Sequence, residues 1–196
     1  MNIIFDIGNV LLSYAPHEFV VDLIGEGHEA EAVFSLIFRG REWAMLDEGT
    51  LSNQEAESIF TGKQPELAGE IGLIMGKLNQ LPKPMEQTLN LLPKLKNAGN
   101  KLYYLSNYPR EMSCYIRNKY SFFECFEGGV FSWEVRLLKP NPMIYQFLLE
   151  KYSLKAHECI FFDDAQENVA AANEVGINGV LFTGAESAAA YLRGIL

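Results

Sequence analysis

Polar residues stand at the end of several apolar, strand-like runs of this chain, and one lysine stands before a proline that could open a helix. They are Asp6, Ser106, Asn107, Lys139, Asp163 and Asp164. The carboxyl ends of parallel strands meet at one edge of an open α/β sheet, where such sheets bind ligands. We therefore expect these side chains to share one site, although a lone aspartate after a strand is more often a turn residue.

Asp6 has the chemistry of a nucleophile. An ionised carboxylate can attack phosphorus and form an acyl phosphate, which divides one difficult displacement into two easier steps. Its negative charge must approach a dianionic phosphate, so that the step needs nearby positive charge. A divalent metal ion and a lysine both meet this need, because phosphoryl transfer depends mainly on positioning and electrostatics.

Asp163 and Asp164 are candidate metal ligands. Neighbouring carboxylates at a buried strand end repel each other unless a cation or a helix N-terminus offsets the charge. With Asp6 they supply the hard oxygen ligands that Mg²⁺ prefers, and Asn168, on the next helical turn, could orient them. The alternative is that one of the two aspartates only caps the following helix.

Ser106, Asn107 and Lys139 are candidate phosphate-binding residues. A serine hydroxyl and main-chain N–H groups at a strand-to-helix turn are suitable donors to phosphate oxygens, and an ordinary N-cap is the alternative. Lys139 precedes Pro140, which is predicted to be the first residue of a helix. Lys139 could neutralise both Asp6 and the phosphoryl group, or it could be only a solvated lysine at a helix start.

The segments that carry these residues alternate between strand and helix from Met85 onward. A helix is expected to run through Leu89, Leu92 and Leu95. Strands separated by helix-length crossovers form a mostly parallel sheet with helices on both faces, so an α/β fold is predicted. The predicted strands after the first are 101–106, 129–132, 159–163 and 179–182, with helices at about 109–119 and 140–152.

Residues 14–84 show helical periodicity only, and Ser52 with Glu55 matches a capping box. Short helices with one apolar face pack on one another, which predicts a small helical bundle. The chain would then consist of a core, residues 1–13 and 85–196, and a helical insertion, residues 14–84. Trp43, expected between two helices of the insertion, would either face a substrate or pack the insertion onto the core.

Composition and charge limit the partners of the chain. Its 16 basic and 25 acidic residues give a net charge of −9, which argues against nucleic acid or an anionic membrane as partner. No stretch approaches the roughly 18 apolar residues of a membrane span. The three cysteines lack a C-x-x-C spacing and are expected to be reduced thiols in or near the core. We expect a cytoplasmic protein, a monomer or weak homodimer.

The order of these motifs, with a helical insertion after the first, resembles the haloacid dehalogenase-like hydrolase superfamily, in its branch with a helical cap. The resemblance implies a Rossmann-like sheet of strand order 3-2-1-4-5 and a Mg²⁺-dependent phosphatase of a small phosphorylated metabolite, working through an aspartyl phosphate. The implied catalytic residues are Asp6, Ser106 and Lys139, and the implied substrate-binding residues are Ser106, Asn107 and Lys139. The implied metal ligands are Asp6, the main-chain carbonyl of Gly8, Asp163 and Asp164.

Gly8 is a departure from this family pattern. Most phosphatases of the family have a second aspartate at this position as general acid and base, a role worth about 10²–10⁴-fold in rate. The run Asp-x-Gly-Asn-Val is similar to that of bacterial sugar-1-phosphate phosphatases, so a sugar phosphate is the expected substrate. An anomeric leaving group needs less help from an acid, and the candidates for a replacement donor are His17, Asp47 and Glu48.

Two other functions fit the same residues. A metal-independent haloacid dehalogenase also lacks the second aspartate, because a halide leaves without a proton, but the pair Asp163-Asp164 would then have no purpose. A protein that binds a phosphorylated ligand without turnover would also tolerate glycine at position 8. Dependence on Mg²⁺ separates the phosphatase from the dehalogenase.

Overall fold

A five-stranded parallel sheet forms the centre of the computed structural model, which describes residues 1–194. The strands of the protein are β1 (Asn2–Phe5), β2 (Leu12–Ser13), β3 (Lys83–Pro84), β4 (Lys101–Ser106), β5 (Gly128–Phe131), β6 (Cys159–Asp163) and β7 (Asn178–Leu181). The central sheet has the order β5-β4-β1-β6-β7. Counted along the chain, this is 3-2-1-4-5, so the predicted α/β class and strand order are confirmed.

β1 lies in the middle of the sheet and pairs with a strand on each side. Asn2 is in register with Lys101 of β4 and with Cys159 of β6. The other three residues of β1, Ile3, Ile4 and Phe5, are fully buried, as expected for a parallel strand covered on both faces. β1 therefore delivers the next residue, Asp6, to the middle of the carboxyl edge of the sheet.

Twelve helices accompany these strands in the described residues. They are α1 (Pro16–Ile24), α2 (His28–Phe38), α3 (Arg41–Asp47), α4 (Asn53–Lys63), α5 (Ala68–Lys77), α6 (Glu86–Leu89), α7 (Leu92–Asn97), α8 (Arg110–Lys119), α9 (Ser132–Val135), α10 (Pro142–Lys151), α11 (Gln166–Glu174) and α12 (Ala185–Tyr191). The expected helix through Leu89, Leu92 and Leu95 is divided into α6 and α7. Pro93 explains the division, because proline lacks an N–H and is accepted in the first turn of a helix but not in its interior.

The helix expected to start at Pro140 starts at Pro142 instead, so this prediction was wrong. Asn141 is the N-cap, and its side chain accepts a hydrogen bond from the N–H of Met143 at 3.0 Å. Asparagine at the N-cap and proline at the first helical position are both favoured. The pair Asn141-Pro142 is therefore a stronger start signal than Lys139 with Pro140, which lie before the helix and are joined by a cis peptide bond.

The segment between residues 14 and 84 contains α1 to α5 and also a strand, which the helical periodicity did not predict. Leu12 pairs with Pro84 and Ser13 with Lys83 in the antiparallel pair β2–β3, and two-residue strands are too short to show a period. The capping box of α4 is present, since the Ser52 hydroxyl accepts the Glu55 N–H at 3.3 Å and the Glu55 carboxylate accepts the Ser52 N–H at 2.9 Å.

Two apolar clusters cover the two faces of the sheet. The smaller joins α10 and α11 to one face, and it includes Ile4, Ile144 and Phe161. The larger contains Phe5 and Phe162 together with buried residues of α1, α2 and α5. The helical segment thus shares an apolar core with the sheet, and the division of the chain at residues 13–14 and 84–85 stays a prediction.

The cysteines only partly match expectation. Cys159 is buried and Cys125 half-buried, but Cys114 is exposed, so its predicted place in or near the core was wrong. Cys114 lies on α8, which buries Met112, Ser113 and Ile116, and it lies on the part of that helix that faces solvent. Within residues 1–194, no helix has both the length and the apolar composition that a membrane span requires.

Candidate active site

A cavity of about 170 Å³ lies at the carboxyl edge of the sheet, next to β1 and β4. Six of the seven site residues predicted from the sequence line it, namely Asp6, Gly8, Ser106, Asn107, Lys139 and Asp164. The seventh, Asp163, is fully buried and contacts Lys139. Four distant segments of the chain therefore meet at one place, as the spacing of the motifs predicts.

Lys139 lies between two carboxylates at the base of the cavity. Its Nζ atom is 2.9 Å from Oδ1 of Asp6 and 2.6 Å from Oδ2 of Asp163. Lys139 is 5% exposed and Asp163 0%, so these ion pairs are out of contact with bulk water. Charges buried in this way are tolerated only when they are paired.

Asn107 holds the main chain of Lys139. Its amide nitrogen donates to the carbonyl oxygen of Lys139 at 2.9 Å, and its amide oxygen accepts the N–H of Lys139 at 2.8 Å. The side chain of Asn107 therefore positions the lysine.

Asp163 is oriented by four hydrogen bonds. Its Oδ1 accepts the N–H of Ala165 at 2.8 Å and the side-chain amide of Asn168 at 3.0 Å. Its Oδ2 accepts from Asn168 at 3.1 Å and from Lys139 at 2.6 Å. Asp163 thus accepts an N–H just before α11 but does not cap that helix, whose N-cap is Ala165 and has no side-chain hydrogen bond, so the capping alternative was wrong for Asp163. Its role as a metal ligand stays a prediction. Asn168 orients it, as we expected.

Asn9 is a site residue that the sequence reasoning missed. Its amide nitrogen donates to Oδ2 of Asp164 at 3.0 Å, and its amide oxygen accepts the N–H of Tyr14 at 2.9 Å. Its φ of 52° lies in the left-handed region, which asparagine tolerates better than most residues. The available signal was an asparagine directly after Gly8 at the end of a strand, which is typical of a turn.

Three carboxylates converge at this site. Among residues 1–194, Asp6, Asp163 and Asp164 each offer an oxygen, and these oxygens lie within 4.8 Å of one another. Burial raises the pKa of Asp6 to about 6, with a further contribution from Asp163, while Lys139 and a hydrogen bond with Ser106 oppose the rise. Three carboxylates face one ammonium group, so the cluster keeps an excess of negative charge and has the hard oxygen donors that suit a divalent cation.

The pKa of Lys139 is raised in spite of its burial. Burial alone would lower it, but the charges of Asp6 and Asp163 and the hydrogen bonds with both outweigh that effect. Lys139 therefore remains an ammonium group at neutral pH, and one positive charge is permanently placed beside Asp6.

The sequence of the chain matches the model of the family described as haloacid dehalogenase-like hydrolase over residues 1–176. The chain belongs to this family. The match includes every residue of the candidate site, from Asp6 to Asn168. The narrower likeness to sugar-1-phosphate phosphatases is not confirmed.

Two curated relatives of this hydrolase are phosphatases by name. The chain is 28% identical over 181 residues to a sesquiterpene phosphatase of Aspergillus oryzae, which covers 92% of the chain and 88% of the relative. It is also 24% identical over 179 residues to a phosphoglycolate phosphatase of Mannheimia succiniciproducens. That alignment covers 88% of the chain and 72% of the relative.

A solved structure of a haloacid dehalogenase family enzyme from Bacteroides thetaiotaomicron has the same fold. It superimposes with a TM-score of 0.78 at 20% identity and covers 98% of both chains. A second structure of that enzyme, an alanine mutant with a TM-score of 0.73 at 20% identity, covers 92% of both chains and is a complex with magnesium and inorganic phosphate.

Aromatic side chains form much of the rest of the cavity in this hydrolase. Tyr14, Trp43 and Tyr108 line it, together with Met112 of α8. Trp43 lies on α3 and not between helices as expected. Its ring centroid is 4.7 Å from that of Phe38, so it faces the cavity and also packs within the helical segment. Tyr14, Tyr108 and Met112 were not predicted, because no spacing pattern distinguishes them from other apolar residues.

Of the three candidate proton donors, the structure places Asp47 at the cavity. His17 is about half exposed and pairs with Glu31 on the surface of α1 and α2, and Glu48 does not line the cavity. Burial, and secondarily the charge of Asp6, raise the pKa of Asp47 to about 8, while Lys139 opposes the rise. Its Oδ1 atom is buried and has no hydrogen-bond partner in the protein.

Proposed function

We propose that this hydrolase is a Mg²⁺-dependent phosphatase that cleaves a small phosphorylated metabolite through an aspartyl phosphate on Asp6. The observation that carries the proposal is the pairing of Asp6 with Lys139 at the base of a cavity, beside two further carboxylates. Family membership and the phosphatase names of two relatives over most of the chain support the same activity. The Bacteroides enzyme of the same fold, bound to magnesium and phosphate, supports the cofactor.

The protein's own residues would carry the first step as follows. We assign the attack to Oδ2 of Asp6, because Oδ1 is engaged by the N–H of Ile7 at 2.7 Å and by Lys139. An O–P bond forms at Asp6 as the ester O–P bond breaks, and the electron pair leaves with the alcohol oxygen. Lys139 and the hydroxyl of Ser106 stabilise the phosphoryl oxygens, which is the main contribution a protein makes to phosphoryl transfer.

Water would then attack the phosphorus of the aspartyl phosphate, releasing inorganic phosphate and restoring the Asp6 carboxylate. Asp6, Asp163, Asp164 and the main-chain carbonyl of Gly8 would hold Mg²⁺, whose charge would offset the repulsion between a dianionic phosphate and the acidic cluster. The four hydrogen bonds on Asp163 and the amide of Asn9 on Asp164 fix two of these carboxylates in advance.

The shape of the cavity favours a compact monophosphate. Its volume of about 170 Å³ is below the roughly 300–1,000 Å³ of typical ligand pockets. Lys139 is the only lysine or arginine among its lining residues, so a second phosphate would meet no fixed positive charge. The rings of Tyr14, Trp43 and Tyr108 suit the apolar face of a sugar, and a sugar phosphate is the class that we propose. The helical segment would act as a cap that opens for exchange and closes to exclude water.

The cellular setting belongs to the same proposal. A negatively charged chain with three free cysteines suits the cytoplasm, and a monomer or weak homodimer would suffice because the proposed site is built within one chain.

A phosphate-release assay tests the function. Purified protein is incubated with a panel of sugar monophosphates, in Mg²⁺ or in EDTA, beside the variant Asp6→Asn. We expect release in Mg²⁺ only, and a fall of roughly 10³-fold or more in the variant, which removes the nucleophile. Glu48→Gln, a nearby carboxylate outside the cavity, is the matched control and should keep wild-type activity.

The same samples separate the alternatives. Metal-independent chloride release from 2-chloropropionate, without phosphate release from any ester, would identify a dehalogenase. Binding of phosphate with no turnover of either substrate class would identify a binding protein. Either result contradicts the proposed phosphatase.

A further inference from the structure

The proposed reaction needs a proton donor that Gly8 cannot supply. When an ester O–P bond breaks, an alkoxide leaves poorly unless an acid protonates it, and general acid catalysis contributes about 10²–10⁴-fold. Gly8 has no side chain, and a Cβ atom placed there would meet nothing within 4 Å. The cavity is therefore open at the position of the missing acid, and the donor must come from another wall. This inference rests on the proposed phosphatase activity.

Few groups that line the cavity can donate this proton. Lys139 is engaged by two carboxylates, and its raised pKa makes it a poor acid. Asp164 is an exposed carboxylate held by Asn9. Burial raises the pKa of Tyr14 and of Tyr108 well above the usual range of tyrosine, so both hold their protons tightly. Besides the nucleophile Asp6, the remaining ionisable group that lines the cavity is Asp47.

We propose that Asp47 is the general acid of this hydrolase. It is the last residue of α3, it faces the cavity that holds Asp6, and its buried Oδ1 atom has no partner in the protein. Buried polar atoms are nearly always hydrogen-bonded, so an unpartnered oxygen beside a ligand cavity is one that a ligand completes. Asp47 is also separate from the three carboxylates that converge on the proposed cation site.

The main chain of Asp47 is held in place by Ser132, the first residue of α9. The hydroxyl of Ser132 donates to the main-chain oxygen of Asp47 and accepts the N–H of Tyr108 at 3.0 Å. One hydroxyl therefore links the end of α3 to the loop that follows Ser106, the last residue of β4. Gly49 allows this close approach, since a Cβ atom there would lie 2.8 Å from Trp133 and its φ is 69°.

The surroundings of Asp47 keep its proton available at neutral pH. The ionisable groups that face it are Asp6, Lys139, Tyr14 and Tyr108. Burial first, and then the charge of Asp6, disfavour the ionised form, and only Lys139 favours it. A carboxyl group whose surroundings favour its protonated form in this way can donate a proton and then, as a carboxylate, accept one.

The proton moves once in each direction. In the first step the P–O bond electrons go to the leaving oxygen, and the proton of Asp47 goes to the same oxygen, so that an alcohol departs. In the second step the Asp47 carboxylate takes a proton from the water that attacks the aspartyl phosphate, which restores the acid. No oxidant, reductant or second substrate is required.

The test compares esters whose leaving groups differ in their need for a proton. We measure rapid-quench kinetics of Asp47→Asn with an alkyl or sugar phosphate and with 4-nitrophenyl phosphate, which releases a stable phenolate. We expect the alkyl ester to react about 10²–10⁴-fold more slowly. The first-turnover burst of 4-nitrophenolate should stay within a few-fold of wild type, although later turnovers slow because the base is lost.

A rescue variant distinguishes acid catalysis from a structural effect. Gly8→Asp in the Asp47→Asn background places a carboxyl in the open space at position 8, and it should recover much of the alkyl ester rate. Equal losses of the burst and of the alkyl ester rate, or no loss in either, would overturn the assignment of Asp47. If the wild-type protein cleaves neither ester, the proposed phosphatase itself is wrong. If the wild type is active and the Asp47→Asn variant is equally active, only the assignment of Asp47 as the general acid is refuted.

Discussion

The variant Asp47→Asn should change how the stability of the protein depends on pH, whether or not any substrate is present. Asparagine keeps the shape of the side chain and removes its ionisation. The pKa of Asp47 is about 8 in the folded protein, against 3.8 for an unperturbed aspartate, because the carboxyl is buried and near Asp6. Between these two values the folded state holds a proton that the unfolded state has released.

This difference gives the sign and size of the effect. The folded state binds more protons than the unfolded state between pH 4 and 8, so the group's contribution to the unfolding free energy falls as pH rises through that window. The slope for one such group is about 1.4 kcal/mol per pH unit. From pH 5 to pH 8 the wild type should therefore lose about 4 kcal/mol relative to Asp47→Asn, a large part of a typical stability of roughly 5–15 kcal/mol.

Urea unfolding at one-unit steps from pH 5 to 8 measures this difference. EDTA is present throughout, so that no divalent cation changes the charge around Asp6. Asp6 is common to both proteins, and its own titration largely cancels in the comparison. Glu48→Gln controls for the loss of a carboxyl one residue away. A stability difference between wild type and Asp47→Asn that is constant across this range would refute the argument that Asp47 is buried in its neutral form.

Four further substitutions test the packing and the charge balance of the fold. Lys139→Met leaves two buried carboxylates unpaired and should cost about 3–5 kcal/mol at pH 8, measured by urea unfolding. Gly129→Ala would bring a Cβ within 2.4 Å of the Tyr104 ring and should cost about 1–3 kcal/mol, whereas Gly76→Ala, in an open helical position, should stabilise by about 0.5–1 kcal/mol. Ser52→Ala removes the capping box of α4 and should lower the melting temperature, at a cost of about 1 kcal/mol.

The features that could be predicted from the sequence are those that depend on a short stretch of neighbouring residues. A buried parallel strand shows as an apolar run, and the polar residue at its end is visible beside it, which is how Asp6 and Asp163 were found. The crossover rule for parallel strands then brings their carboxyl ends to one edge. The proximity of Lys139 to Asp6 was expected from its motif, but its ion pair with Asp163 was not, and the helix after it was predicted to begin two residues too early.

The features that could not be predicted depend on how distant elements pack. Asp47 is one of three candidates, and its place at the cavity involves a contact between α3 and Ser132, 85 residues away, which no local pattern shows. Asn9 carries no pattern of its own, because its role depends on a left-handed turn and on Asp164. Tyr14 and Tyr108 look like ordinary core residues, since facing a cavity and facing the core require the same apolar character.

The central place of β1 has a consequence for how the protein is made. Ile3 to Phe5 leave the ribosome well before their hydrogen-bonding partners, which lie about 100 and 157 residues further along the chain. At roughly 5–20 residues per second, a nascent chain waits on the order of 5–20 s for β4 and longer for β6. During that interval a fully apolar strand has neither neighbour, and chaperones have their longest opportunity to bind it.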